Sequence, residues 1–335
     1  MARWGFTFPI DGLPLHAHRD VLREAEQLGY TDAWTYEIDG VDCFTPLALA
    51  GVWTEKLTLG TAIANVFTRG PLTLAMSAMS VAEAAPGRFC FGVGAGSPAI
   101  VENWNGTSFD RPYGKVRDVA MLLKQALAGE RVTQILETAN VRGMRLSRRL
   151  VPAPPLYIAA LRKNMLALAG EVADGAIINW LSASDVPRCV AAARSGAVAA
   201  GRDPEAVDIV CRIFVCVSQD AAAVNLLGRY AIAAYLTVPA YSKFHVWLGR
   251  GEALRPMTEA WRAGDRKAAL EAVPQQVVDD LIVSGDAETC RRKIQDYVNA
   301  GVRVPVINFM PTTADPAGRA EQSLAMLRAL APRQD

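Results

Sequence analysis

Residues 57–98, LTLGTAIANVFTRGPLTLAMSAMSVAEAAPGRFCFGVGAGSP, constrain the fold more than any other stretch of the chain. Leu57, Leu59, Thr61 and Ile63 alternate with smaller residues, the period-two pattern of a strand. Pro71 then opens a helix, where its missing N–H costs nothing. Leu72, Met76 and Met79 recur at helical spacing and predict that helix's apolar face. Pro86-Gly87 stops it, and Arg88 to Val93 is again strand-like and ends in a glycine cluster. This is a βαβ unit, which requires its two strands to run parallel. The first strand runs into Ala64-Asn65-Val66-Phe67-Thr68-Arg69 and the second into Gly94-Ala95-Gly96-Ser97. Parallel α/β folds bind ligands at the C-terminal ends of their strands, so function is expected there.

The same rhythm runs through the chain. Trp4 to Phe8 and Ala33 to Glu37 read as the first two strands, with a helix over 15–28 between them that Gly29 terminates. Thr45 is a candidate cap for the helix after strand two. Leu156 to Ala160, Gly175 to Asn179, Val207 to Val217 and Val304 to Phe309 supply strands five to eight, each followed by a helical pattern. Two stretches break the alternation: a polar, arginine-rich excursion over 129–154 and a helix-rich one over 236–284. Both exceed an ordinary connection, and the second is expected to roof the pocket. Eight alternating units predict a (β/α)8 TIM barrel with insertions, in one domain over 1–335. A dinucleotide-binding doubly wound sheet would carry GxGxxG in its first βα turn, whereas Gly92, Gly94 and Gly96 fall in the fourth.

Composition narrows the function classes. With 51% hydrophobic and 21% charged residues, 335 residues can bury a large core. A net charge of +1 gives no bias toward nucleic acid. No uninterrupted apolar run is long enough for a membrane span, and MARWGFTFPID lacks a signal-peptide core. Cys43, Cys90, Cys189, Cys211, Cys216 and Cys290 show no CxxC pair, so buried free thiols are expected, in a cytoplasmic protein. His16, His18 and His245 share no metal-ligand spacing and suit surface or helix-start roles.

Small strand ends carry the candidate site. Gly94-Ala95-Gly96-Ser97 leaves backbone N–H groups open to an anion, though a tight turn without ligand would use the same residues. Ala159-Ala160 runs into Leu161-Arg162-Lys163-Asn164 at a helix N-terminus, which offers N–H groups and cations to a phosphate. Two such ends on one barrel mouth favour a phosphate-bearing ligand. Glu37, at the end of strand two, suits either a ligand contact with proton transfer or a salt bridge at the rim. Asp39 and Asp42 read as turn residues, and the tryptophans as pocket wall or core.

Over nearly its whole length the chain resembles the luciferase-like monooxygenase superfamily, and within it the coenzyme F420-dependent oxidoreductases that include methylenetetrahydromethanopterin reductase. The resemblance rests on YEIDGVDCFTPLALA, LTLGTAIANVFTRGPLTLA, GRFCFGVGAGSP, PLYIAALRKNMLALAGEVADGAIINW and VSGDAETCRRKIQDYVNAGVRVPVI. It implies a TIM barrel that binds a flavin or 5-deazaflavin at its mouth, as a homodimer, and the helices of the early βα units are expected to form the interface. It also implies a non-prolyl cis peptide at Ala62-Ile63 behind the cofactor ring, and a phosphate-bearing side chain held by Gly94 to Ser97 and Ala160 to Arg162. With Asn65, Ala159 and Asn179, these form the expected cofactor-contacting set, and Glu37 falls on an acidic position facing the ring. Several F420 enzymes have histidine next, where this chain has Ile38, and a glycine pair where it has Leu161-Arg162. The activity implied is hydride transfer between F420 and a small organic substrate. Alternatives are an FMN-dependent monooxygenase of the same fold and a cofactor-binding relative without turnover. No metal, nucleic acid or membrane partner is expected.

Overall fold

The computed structural model describes residues 3–333. Eight parallel strands close into a barrel: β1 Gly5–Thr7, β2 Asp32–Thr35, β3 Thr58–Thr61, β4 Phe89–Gly94, β5 Leu156–Ala159, β6 Gly175–Asn179, β7 Asp208–Val217 and β8 Val304–Phe309. Each pairs with the next, and β8 returns to β1 through Gly5↔Val306 and Phe6↔Ile307. Helices separate successive strands, as right-handed βαβ crossovers require. β2 ends at Thr35, so Glu37 stands two residues past the ladder rather than on it.

Inward glycines make the interior possible. Trp34 and Tyr157 fill the barrel with ring centroids 6.0 Å apart. A Cβ on Gly60 would lie 2.3 Å from the Trp34 ring, and one on Gly175 would lie 2.0 Å from Tyr157. Below them, Tyr157 donates to Asp208 (2.8 Å), which also faces Arg303 at 3.0 Å. Arg3 and Asp32 pair across the same end.

Helix Pro71–Ala84 corrects one expectation. It turns Leu74, Ala75, Ala78, Val81 and Ala82 inward, while Leu72 and Met76 are exposed. Of the expected stripe only Met79 packs partly against the core. Helix Thr45–Trp53 is capped by Asp42, not Thr45: its Oδ1 accepts the N–H groups of Phe44 and Thr45 at 2.8 and 2.9 Å. His18 and His245 are fully buried and His16 is exposed. All six cysteines are buried and free.

The first excursion forms a hairpin, Val132–Ile135 with Asn140–Met144. Asp118 holds its turn by accepting from the Thr138 amide and hydroxyl, both at 2.8 Å. The second excursion is helical, with a strand Ile282–Gly285 that pairs with the outer half of β7. No single helix among the described residues is long and apolar enough to cross a membrane.

Candidate active site

The pocket at the C-terminal mouth is shaped by a bulge in β3. Gly60 pairs with Cys90, but Ala64 pairs with Val93, so one extra residue sits on the β3 side. Thr61 fills the interrupted ladder with its side chain: Oγ1 donates to Gly92 O (2.7 Å) and accepts from Gly92 N–H (2.8 Å). Ala62-Ile63 lies in this bulge and is a non-prolyl cis peptide. Gly94 stands behind the wall instead of lining it. A Cβ there would meet Ala159 at 2.9 Å and Ile63 at 3.1 Å, so its glycine lets both side chains come together.

The cavity above has a volume of about 1100 Å³. One wall is made of the small residues Ala62, Ala95, Gly96, Ala159 and Ala160, with the larger Ile63 among them. Asn65 braces it, accepting the Phe67 N–H at 2.8 Å and leaving its amide 2.4 Å from where a Gly96 Cβ would be. Gly96 has φ +68°, a conformation only glycine takes without strain. Ser97, Leu161 and Arg162 continue the lining, and Asn179 closes the β6 side. Helix Lys163–Val172 points its N-terminus into the cavity, with Arg162 at the cap position and Lys163 beginning it. Every sequence-expected site residue except Gly94 therefore borders one cavity.

Glu37 borders it too, and of its two readings the salt bridge at the rim is present. Arg69 grips its carboxylate with two hydrogen bonds, 2.6 and 2.5 Å, and lies 5.4 Å from the Phe44 ring centre. Burial, then the Glu37 charge, pushes the neighbouring Cys43 thiol well above its ordinary range, which makes it a poor nucleophile.

The second excursion supplies the facing wall. Val238, Tyr241 and Trp247, from its first helix and the turn before it, line the cavity with Tyr235. Its roofing role falls to this part alone, since helix Gly251–Arg262 packs outside. Polar contacts tie the roof to the end of β6, to the segment after it and to the rest of the excursion. Asn179 donates to Tyr241 (3.1 Å), His245 Nε2 donates to the Trp180 carbonyl (2.9 Å), and Arg250 bridges Asp185 and Asp280. Burial, reinforced by Arg250, pushes His245 down to about 4, so it is a neutral strut near pH 7 and not a proton donor. Trp180 takes φ +54° and stacks on Phe214 at 3.9 Å, turning the chain so that Asn179 faces the cavity.

Among the lining residues that sequence reasoning missed are Tyr36, Arg212, Tyr235 and Tyr241. The one available signal was an arginine inside the otherwise apolar run DIVCRIFVCV. Among the described residues no cluster of three or more potential metal ligands occurs.

The family described as Luciferase-like monooxygenase matches residues 7–304. A Mycobacterium tuberculosis protein named as a coenzyme F420-dependent oxidoreductase is 27% identical, over 92% of this chain and 93% of its own. The 5,10-methylenetetrahydromethanopterin reductase of Methanolobus tindarius is 28% identical, over 89% of this chain and 91% of its own. Among solved structures, the coenzyme F420-dependent tetrahydromethanopterin reductase of Methanopyrus kandleri superposes with a TM-score of 0.78 at 23% identity, covering 96% and 97% of the two chains. That last likeness speaks for the fold alone.

Proposed function

We propose that this chain, which belongs to the luciferase-like monooxygenase family, is an oxidoreductase that transfers hydride between coenzyme F420 and a small organic substrate. The observation that carries the reading is the wall of Ala62, Ala95, Gly96, Ala159 and Ala160 beside Ile63, with a cationic helix N-terminus at one edge. A planar ring fits against side chains that small, and a phosphate fits N–H groups flanked by Arg162 and Lys163. The name of the Mycobacterium tuberculosis relative supports F420 as the group that occupies it.

In this reading Ala62 and Ile63 back the ring, while Gly96, Ser97, Leu161 and Arg162 hold the phosphate-bearing side chain. Asn65 keeps the Gly96 turn open, and Asn179 fixes the roof through Tyr241. The roof excludes water from the ring face, which suppresses side reactions. When bound, F420 supplies the hydride chemistry, and the protein supplies orientation.

A binding titration tests this. F420 is expected to bind at least about tenfold more tightly than FMN, a difference of ~1.4 kcal/mol. The reverse preference would move the assignment to a flavin-dependent monooxygenase. Binding of neither would remove the cofactor reading altogether.

The outward stripe supports self-association. Val52, Leu72 and Met76 are exposed on helices Thr45–Trp53 and Pro71–Ala84, which pack together. Exposed apolar residues on two packed helices suit an interface. We read this face as the contact of a homodimer, and light scattering at micromolar concentration is expected to return twice the chain mass. A monomer would refute it.

A further inference from the structure

Arg212 lies on β7 and borders the cavity from inside the barrel. Its guanidinium is held on aromatic faces, 4.5 Å from the Tyr36 ring centre and 5.5 Å from that of Phe214. Of its nitrogens only Nη2 donates to a described protein group, the Asn308 side-chain oxygen at 2.5 Å. Nε is buried without a partner. No carboxylate among the described residues pairs with it, in contrast to Arg69 with Glu37 and Arg250 with Asp185 and Asp280. A half-buried cation without a counter-ion is costly, and the cost is offset when a ligand brings the anion. The aromatic clamp fixes the plane of the fork in advance, so little side-chain freedom remains to be lost on binding.

Besides Lys243 on the roof helix, the cavity thus has two separate cationic ends. Arg162 and Lys163 stand past the end of β5, at a helix N-terminus. Arg212 stands two strands further round, with Asn179 of the intervening β6 between them in the register. A phosphate-bearing cofactor that uses the first end leaves the second for another molecule.

We propose that Arg212 anchors the substrate and that the substrate carries a carboxylate. The proposal names the substrate class of the site described above and rests on that reading. The guanidinium fork accepts a carboxylate through the donors that the protein leaves unused, while the small-residue wall and the Tyr235 and Tyr241 rings enclose the apolar remainder. Arg212 is a substrate-positioning residue in this arrangement, with no part in moving a proton.

Calorimetric titration of the full chain, with and without F420, tests it. The probes are acetate, benzoate and 3-phenylpropionate, each against its neutral amide. At least one carboxylate is expected to bind while its amide does not. Arg212→Met should weaken that carboxylate about 10–100-fold, and Arg212→Lys should recover part of the loss. The F420 dissociation constant should stay within about twofold of wild type in both variants. Failure of every carboxylate to bind, or equal binding of acid and amide, overturns the proposal on wild-type protein alone, whatever the variants' folding. Weakened F420 binding with carboxylate binding intact also overturns it, by giving Arg212 to the cofactor. If wild-type protein binds a carboxylate but not F420, the cofactor reading fails and the Arg212 site stands.

Discussion

Gly175→Ala is expected to destabilise the barrel by more than about 3 kcal/mol, the upper end of ordinary overpacking. The added Cβ would sit 2.0 Å from two Tyr157 ring carbons and 2.8 Å from the Asp208 carbonyl. The ring has little room to yield. Its hydroxyl is tied to Asp208, and Trp34 stands on its other side. Trp34 in turn fills the space over Gly60. The strain must then pass into the β6 backbone, which pairs with β5 at Tyr157↔Gly175 and with β7 at Asp208↔Gly175. Urea denaturation would show the midpoint falling. Combining Gly175→Ala with Tyr157→Val should cost at least about 1 kcal/mol less than the two singles summed, because the clash needs both groups. Gly40→Ala is the control: no atom lies within 4 Å of its added Cβ, and stability should hold within about 0.5 kcal/mol. A wild-type midpoint for Gly175→Ala would show that the barrel interior is looser than its glycines imply.

The barrel was legible because each strand and helix announces itself locally. Alternation, a proline at helix position one and a glycine stop are all short-range signals, and strand ends at Gly94, Asn179, Val217 and Phe309 fall where the pattern puts them. Strand two was overextended for an identifiable reason. Tyr36 and Glu37 continue the alternation, but Thr35 donates its hydroxyl to the Cys43 carbonyl, in the loop that follows, and the ladder ends there. The face of Pro71–Ala84 was misjudged because periodicity finds a stripe without saying which neighbour it meets. There Leu74, Ala75, Ala78, Val81 and Ala82 meet the core, and Leu72 and Met76 face out. The small-residue turns of the site were visible as sequence. The Glu37–Arg69 pair was not, since 32 residues separate its partners. Nor was Tyr241 against Asn179, which depends on how an insertion folds back over the mouth.

Glu37→Gln is expected to weaken F420 binding about 10–100-fold and to leave the hydride-transfer rate of the saturated enzyme within about threefold. Proton transfer would predict the opposite pattern, turnover falling about 10²–10⁴-fold with affinity intact. The geometry favours the first. Both carboxylate oxygens already accept from Arg69, at 2.5 and 2.6 Å, and the Cys43 thiol lies 3.8 Å from one of them. A glutamine offers one acceptor and turns an NH2 toward the other guanidinium nitrogen, leaving Arg69 half-buried and underpaired. Removing one partner of a buried pair costs about 3–5 kcal/mol. Here the side chains are 18–20% exposed, so solvent returns part of that and about 1–3 kcal/mol remains. The loss should reach the cavity because Glu37 and Ile38 are themselves part of its lining. Adding Arg69→Met to Glu37→Gln removes the stranded cation and should restore much of the affinity, a rescue that a proton-transfer role cannot give. Titration with F420, and single-turnover hydride transfer with a substrate found by screening, read the two quantities separately. Wild-type values for both in Glu37→Gln would exclude this residue from the site, and a turnover defect with unchanged affinity would return it to proton transfer.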